Sequence, residues 1–232
     1  GLSNKVELTQ SHTKLLDGSA LFGEPVQISE STALDPLQVD DEMRVFVGDI
    51  ASAKPETARY RKLIAKLDRY GYYDESYDPT LTSSASQTFA SKKGNCLSYT
   101  NMFVALARIA NLDAQYQLVH MRFPSWDVQG RLLIRNNHIN VFVEGPSCRD
   151  RGYADYGASG CTQDFNLIDP DPEAPTTVVS DEYATSLFYA NLSVKERIAG
   201  NDRVAFSYLR RASEMVPSNP DLWINLGASP YL

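Results

Sequence analysis

The stretch from Gly94 to Val143 constrains the fold more than any other part of the chain, because its hydrophobic period changes from helical to alternating. From Cys96 to about Asn111, Tyr99, Phe103, Leu106 and Ala110 recur at spacings of three and four, the mark of one helix face. Gly94-Asn95 just ahead is turn and N-cap chemistry. Strands are expected over Ala114–Met121 and Leu132–Val143. Beyond Asn137 the second alternates, with Ile139, Val141 and Val143 pointing one way and His138, Asn140 and Phe142 the other. A short strand over Phe165–Asp169 is stopped by Pro170 and Pro172.

The flanks read more simply. Residues 1–40 are polar with no sustained period, an arm of short structured pieces that pack on the main body. Asp40-Asp41-Glu42 open a helix ahead of Met43, Val45, Phe46 and Val47. Lys54-Pro55-Glu56 open another, whose face is Tyr60, Ile64, Leu67 and Tyr70 and whose stop is Gly71. Tyr72–Thr82 and Gly145–Thr162 read as loops. From Ser180 the pattern is helical and repeats: Tyr189, Leu192 and Ser193 return 34 residues later as Trp223, Leu226 and Gly227, with Ala205, Leu209, Ala212 and Pro217 between. That is tetratricopeptide spacing, one repeat at about 186–219 and a partial second; two unrelated amphipathic helices are the plainer alternative. A lone repeat cannot bury its own face, so it leans on the preceding domain or continues into further repeats.

Composition excludes several function classes. With 29 acidic residues against 22 Lys+Arg, the net charge of -7 repels phosphate backbones and argues against nucleic acid as a partner. No run approaches the ~18 apolar residues of a membrane-spanning helix. Three Cys and three His, with no C-x-x-C, offer no zinc framework.

The chemistry begins at Cys96. A cysteine opening a helix sees the positive end of the macrodipole, which favours the thiolate, and its own amide can face a developing oxyanion. A buried structural cysteine is the alternative. A thiol nucleophile needs a base, and the base an orienting acceptor. His12 lies in the polar arm, and His120 ends a strand with no evident acceptor; both read as solvent-facing or satisfied. His138, a polar residue between apolar neighbours in a strand, is either a satisfied core imidazole or the base. Asp169 is the acceptor candidate, because a strand ending there could set its carboxylate beside the imidazole; otherwise Asp169-Pro170 simply marks a strand end.

These pieces together carry a resemblance. Gly94-Asn95-Cys96-Leu97-Ser98-Tyr99-Thr100, Phe103–Arg108, Leu112-Asp113-Ala114, Asn137-His138-Ile139-Asn140-Val141 and Asn166-Leu167-Ile168-Asp169-Pro170 resemble the transglutaminase-like core, a branch of the papain-like thiol enzymes. That core followed by tetratricopeptide repeats resembles a group of bacterial proteins. The resemblance implies an α+β fold in which the Cys helix packs on an antiparallel sheet carrying His and Asp. It implies Cys96 as nucleophile, His138 as base and Asp169 as orienter. Two features depart from the pattern: Ile139 and Asn140 stand where many members have an aromatic residue, and the His138–Asp169 gap is long. Gln87 lies upstream of Cys96, as a Gln does in papain-like enzymes, but at a different spacing.

The chain thus reads as an arm (1–40), a catalytic core (41–179) and a repeat region (180–232). The expected activity is thiol-dependent acyl transfer on peptide or amide bonds, hydrolysis rather than cross-linking, with no cofactor. No D-x-D-x-D-G loop is present for a calcium switch. The alternative is a catalytically silent module that binds a peptide or protein through core and repeats. Expected partners are a protein or peptide substrate and a protein bound by the repeats. A Cys148–Cys161 bridge would close a loop of about 14 residues, worth roughly 3 kcal/mol, and leave Cys96 free. It would place the chain in the periplasm or outside the cell, as would a processed N-terminus ahead of Gly1; three reduced cytosolic thiols are the other reading.

Overall fold

The computed structural model describes residues 14–27, 33–73, 77–120, 138–145, 160–165, 174–220 and 222, and the backbone alone of 125–129 and 132–136. The chain divides into two compact units, one formed by residues 35–124 and 137–181, the other by 1–34, 125–136 and 182–232.

The unit of residues 35–124 and 137–181 is α+β. Its first helix, α1 (Asp41–Val47), is capped by Asp40, whose carboxylate accepts the Met43 N–H at 2.8 Å. Helix α2 (Glu56–Arg69) follows Pro55, which needs no N–H there. Its buried face is Tyr60, Leu63, Ile64 and Leu67. Tyr70 does not belong to that face: it caps the helix C-terminus and is 51% exposed, because the chain reverses at Gly71 (φ 72°). Helix α3 (Ala85–Ser91) starts with a capping box. Ser84 Oγ accepts the Gln87 N–H at 3.4 Å, and Gln87 Oε1 accepts the Ser84 N–H at 3.1 Å.

Helix α4 (Cys96–Ile109) is the centre of this unit. Every residue from Leu97 to Ala107 is buried, so the helix is enclosed on all sides rather than laid on a surface. Four antiparallel strands form the sheet, in the order β5 (Gly160–Gln163), β4 (His138–Glu144), β1 (Asp113–Val119), β6 (Thr176–Val179). Tyr116, Ile139, Val141 and Val143 are buried with Phe103 and Leu106 of α4. Two buried polar links tie helix to sheet: Tyr116 Oη donates to Asn101 Oδ1 at 2.7 Å, and Thr100 Oγ1 to the Ile139 carbonyl at 3.3 Å. At the other end of α4, Arg108 donates to the Ala114 carbonyl and pairs bidentately with Asp181 at 2.6 and 2.8 Å.

Two strand expectations need correction. The run Leu132–Val143 is two strands. Residues from His138 onward form β4, while β3 (Leu132–Asn136) pairs with β2 (Ser125–Gln129) in a separate two-stranded sheet of the other unit. The residue pattern already differs on the two sides, because alternation begins only after Asn137. The strand beside β4 is Gly160–Gln163, which begins within the segment 145–162 that reads as a loop in the sequence. Phe165 lies past the strand end, and 166–169 lie outside the described residues.

In the unit containing 182–232, helices α5 (Asp181–Ile198) and α6 (Asp202–Met215) are separated by a turn at Gly200 (φ 81°). Tyr189 stacks on Tyr208 at 5.9 Å and clasps Leu34, donating to its carbonyl at 2.7 Å and accepting its N–H at 2.9 Å. The short helix Ser19–Phe22 brings Phe22 edge-on to Phe206 at 5.6 Å. Ala205, Leu209 and Ala212 are buried. Trp223, Leu226 and Gly227, the second set of the expected repeat, lie outside the described residues.

Candidate active site

Cys96 is the first residue of α4 and is partly exposed. The chain ahead of it is held tightly. Asn95 caps the helix, its Oδ1 accepting the Ser98 N–H at 3.0 Å while its Nδ2 donates to Thr82 Oγ1 at 2.8 Å. Ser98 Oγ donates to the Leu81 carbonyl and accepts the Ser83 N–H at 2.9 Å. Gly94 is required for this closeness: a Cβ there would stand 2.5 Å from the Ser98 Cβ. Loop 81–84 and the helix start are therefore sewn together, and the sulfur stands on a rigid platform.

His138 opens β4 and is 7% exposed. One ring nitrogen, Nε2, lies 2.6 Å from Asp164 Oδ2. Burial acts to lower the imidazole pKa, but the interactions with Asp164 and with the Cys96 thiol outweigh it and raise it to about 9. At neutral pH the ring is protonated and donates from both nitrogens.

Asp164 is a residue the sequence reading missed. Val141 pairs with Gln163 at the end of β5, so one further step brings Asp164 opposite Asn140. There Asn140 Nδ2 donates to the same Oδ2 at 3.0 Å, and the carboxylate is fixed between two donors. Phe165, the next residue, is lodged among rings: it stacks with Tyr73 at 5.6 Å and Tyr99 at 5.7 Å, and Phe103 lies tilted at 5.7 Å. This aromatic anchor holds Asp164 against His138. The only local sign was the aromatic residue after an Asp at the edge of a Gly-rich segment, and it says nothing without the strand register. Asp169, the acceptor expected from sequence, lies outside the described residues.

Tyr77 is a second site residue with no sequence signature. It forms a parallel bridge with Gly94, two residues before Cys96, and burial together with the charge of Cys96 raises its phenol to about 12. Gln87 is occupied by its capping box. His120 is an exposed surface residue whose Nε2 lies 2.8 Å from Thr177 Oγ1, and His12 lies outside the described residues. Cys161, in β5, is 1% exposed and is not a free thiol; Cys148 lies outside the described residues. Among the described residues no group of His, Cys, Asp and Glu could hold a metal ion, and no helix is long and apolar enough to cross a membrane.

A thiol at a helix N-terminus, an imidazole on a strand and a carboxylate behind it are the groups that thiol acyl transfer uses. Residues 44–144 match the transglutaminase-like superfamily, in which cysteine-dependent acyl transfer and peptidase activity are common. The match takes in Cys96 and His138, and ends before Asp164 and before helices α5 and α6. No curated protein and no solved structure shows significant similarity to the chain.

Proposed function

We propose that this chain is a thiol-dependent acyl-transfer enzyme acting on peptide or amide bonds, a cysteine peptidase or amidase rather than a protein cross-linker. The observation that carries the reading is the His138–Asp164 pair, Nε2 2.6 Å from Oδ2, on an imidazole whose pKa is also raised by the Cys96 thiol at the start of α4. His138 holds the proton the thiol gives up, and the sulfur attacks the carbonyl carbon while the π pair moves to oxygen. As that pair returns, the C–N bond breaks and the leaving nitrogen takes the proton from His138. Water then adds to the thioester, gives a proton back to His138, and expels the sulfur. Asp164 supports the imidazolium throughout. Asp169 is the competing orienter. Water is favoured as acceptor because it needs no second binding site.

Labelling with a thiol-directed electrophile tests this. Cys96 should react faster than free cysteine with a pH profile set by His138, and His138→Ala should slow it by about 10²-fold or more. Labelling at the rate of free cysteine, unchanged in that variant, would instead support a silent binding module.

The helical region 180–232 is proposed to bind a protein partner as a tetratricopeptide unit; exposed Ile198 and Val204 offer it apolar surface. A Cys148–Cys161 bridge, and with it a periplasmic or extracellular location, is the companion proposal. Alkylating the unfolded chain without reductant should then modify Cys96 alone. Modification of all three cysteines before reduction would end that idea.

A further inference from the structure

Resting on the acyl-transfer reading, we propose that Asn140 is a positioning residue of this site: it holds Asp164 ionised and aimed at His138, at a cost to the stability of the fold. Asn140 is 3% exposed and lies two residues along β4 from His138, on the same face of the strand. Its Nδ2 donates to Asp164 Oδ2 at 3.0 Å, the oxygen that lies 2.6 Å from His138 Nε2. One carboxylate oxygen therefore takes both bonds, and the amide sets where that oxygen stands relative to the ring.

The other end of the amide shows the cost. Among the described residues, Asn140 Oδ1 is buried and has no hydrogen-bond partner. Directly opposite on β1 stands Gln117, 8% exposed, whose Oε1 is likewise buried without a partner among the described residues. Two buried acceptors on adjacent strands, neither fed by a donor, are unfavourable, and apolar side chains in their place would carry no such penalty. Turning the Asn140 amide over gives no relief. An ionised carboxylate only accepts, so Oδ1 facing Asp164 would set oxygen against charged oxygen. The donor is kept on Asp164 at the expense of the acceptor. A buried group left unsatisfied calls for an explanation, and the bond to Asp164 supplies it.

What the bond does for the reaction follows from its direction. A neutral donor favours the ionised form of a carboxylate, and a second donor on the same oxygen resists rotation of the carboxylate away from the imidazole. The surroundings leave Asp164 as the group that Asn140 serves. Gln117, its register partner on β1, is neutral; on the β5 side the ionisable group is Asp164, and along β4 it is His138.

Acylation of Cys96 by p-nitrophenyl acetate, read beside thermal melts, tests this. Asn140→Leu keeps the shape and removes the donor. It should slow acylation by about 10- to 100-fold and leave the melting temperature equal to or above that of the wild type. In an Asp164→Ala background the same substitution should cost no more than about twofold further, because it acts through that carboxylate. Asn140→Asp keeps the test open should the apolar variant misfold. Its protonated carboxyl donates to Asp164 as the amide does, and it loses that proton as pH rises. Its acylation rate relative to wild type should be within about threefold at pH 5 and at least about tenfold lower at pH 8. A lower melting temperature with the rate retained in Asn140→Leu marks a residue that only supports the fold, and overturns the assignment. So does an equal loss in the Asp164→Ala background, or an Asn140→Asp ratio that does not vary with pH. Wild-type Cys96 that is acylated no faster than free cysteine overturns the acyl-transfer reading itself. That outcome is seen in the wild type before any Asn140 variant is made.

Discussion

Asp164→Asn should lower the rate of acyl transfer by about 10²- to 10⁴-fold while the protein stays folded, and Asp169→Asn should leave it within about twofold. The size follows from what the carboxylate does. Asp164 Oδ2 accepts from His138 Nε2 at 2.6 Å, so it fixes the ring's orientation and stabilises the positive charge that the ring carries. An amide of the same shape cannot balance that charge, and its NH₂ group can present a donor to Nε2 and select the wrong tautomer; the loss in serine-protease triads treated this way is about 10⁴-fold. Asn140 adds to the effect, because its Nδ2 donates to the same oxygen at 3.0 Å and would meet a second donor if the new amide turned its nitrogen inward. Initial rates of p-nitrophenyl ester cleavage for the two variants, with thermal melts as control, decide the matter. Loss in Asp169→Asn and none in Asp164→Asn would move the orienting role to Asp169.

Titration of His138 should be visible in stability as well as in rate. Its pKa rises from 6.5 to about 9 on folding. Below the unfolded value the ring is protonated in both states, and the folded-state stabilisation is fully present. Between 6.5 and 9 the folded protein keeps a proton that the unfolded chain has released, so stability declines as pH rises, and above about 9 the contribution is gone. The shift corresponds to roughly 3 kcal/mol. Urea midpoints measured at pH 6 and pH 9.5 should therefore differ in the wild type, and the difference should shrink in His138→Gln. Catalysis should fall over the same upper range, because a neutral ring has no proton for the leaving amine. A wild-type midpoint that does not move between those pH values would show that the His138–Asp164 pair does not hold its proton in this way.

The positions of Cys96 and His138 could both be read from the chain. Cys96 is marked locally. A Gly-Asn turn, a cap and a run of helix-spaced apolar residues identify a helix start wherever the helix is packed. His138 is marked by its place in an alternating strand, which follows from the backbone pleat and needs no partner strand to be recognised. The capping box at Ser84 and Gln87 is equally local, a Ser followed three residues later by Gln.

Asp164 and Tyr77 are of another kind. Which acidic residue meets His138 depends on the pairing of β4 with β5, and a slip of one residue would turn every side chain of β5 to the opposite face. Asp169 before a proline reads as a strand end and lies outside the described residues, while the strand that pairs with β4 ends at Gln163. Tyr77 meets Gly94 through a bridge between two loop segments whose sequences carry no periodic signal. Local periods and caps, which depend on a few neighbouring residues, were sufficient to place Cys96 at a helix start and His138 in a strand. Strand register and loop docking are set by contacts between residues distant in the chain, and only the folded structure showed that Asp164 lies beside His138 and Tyr77 beside Gly94.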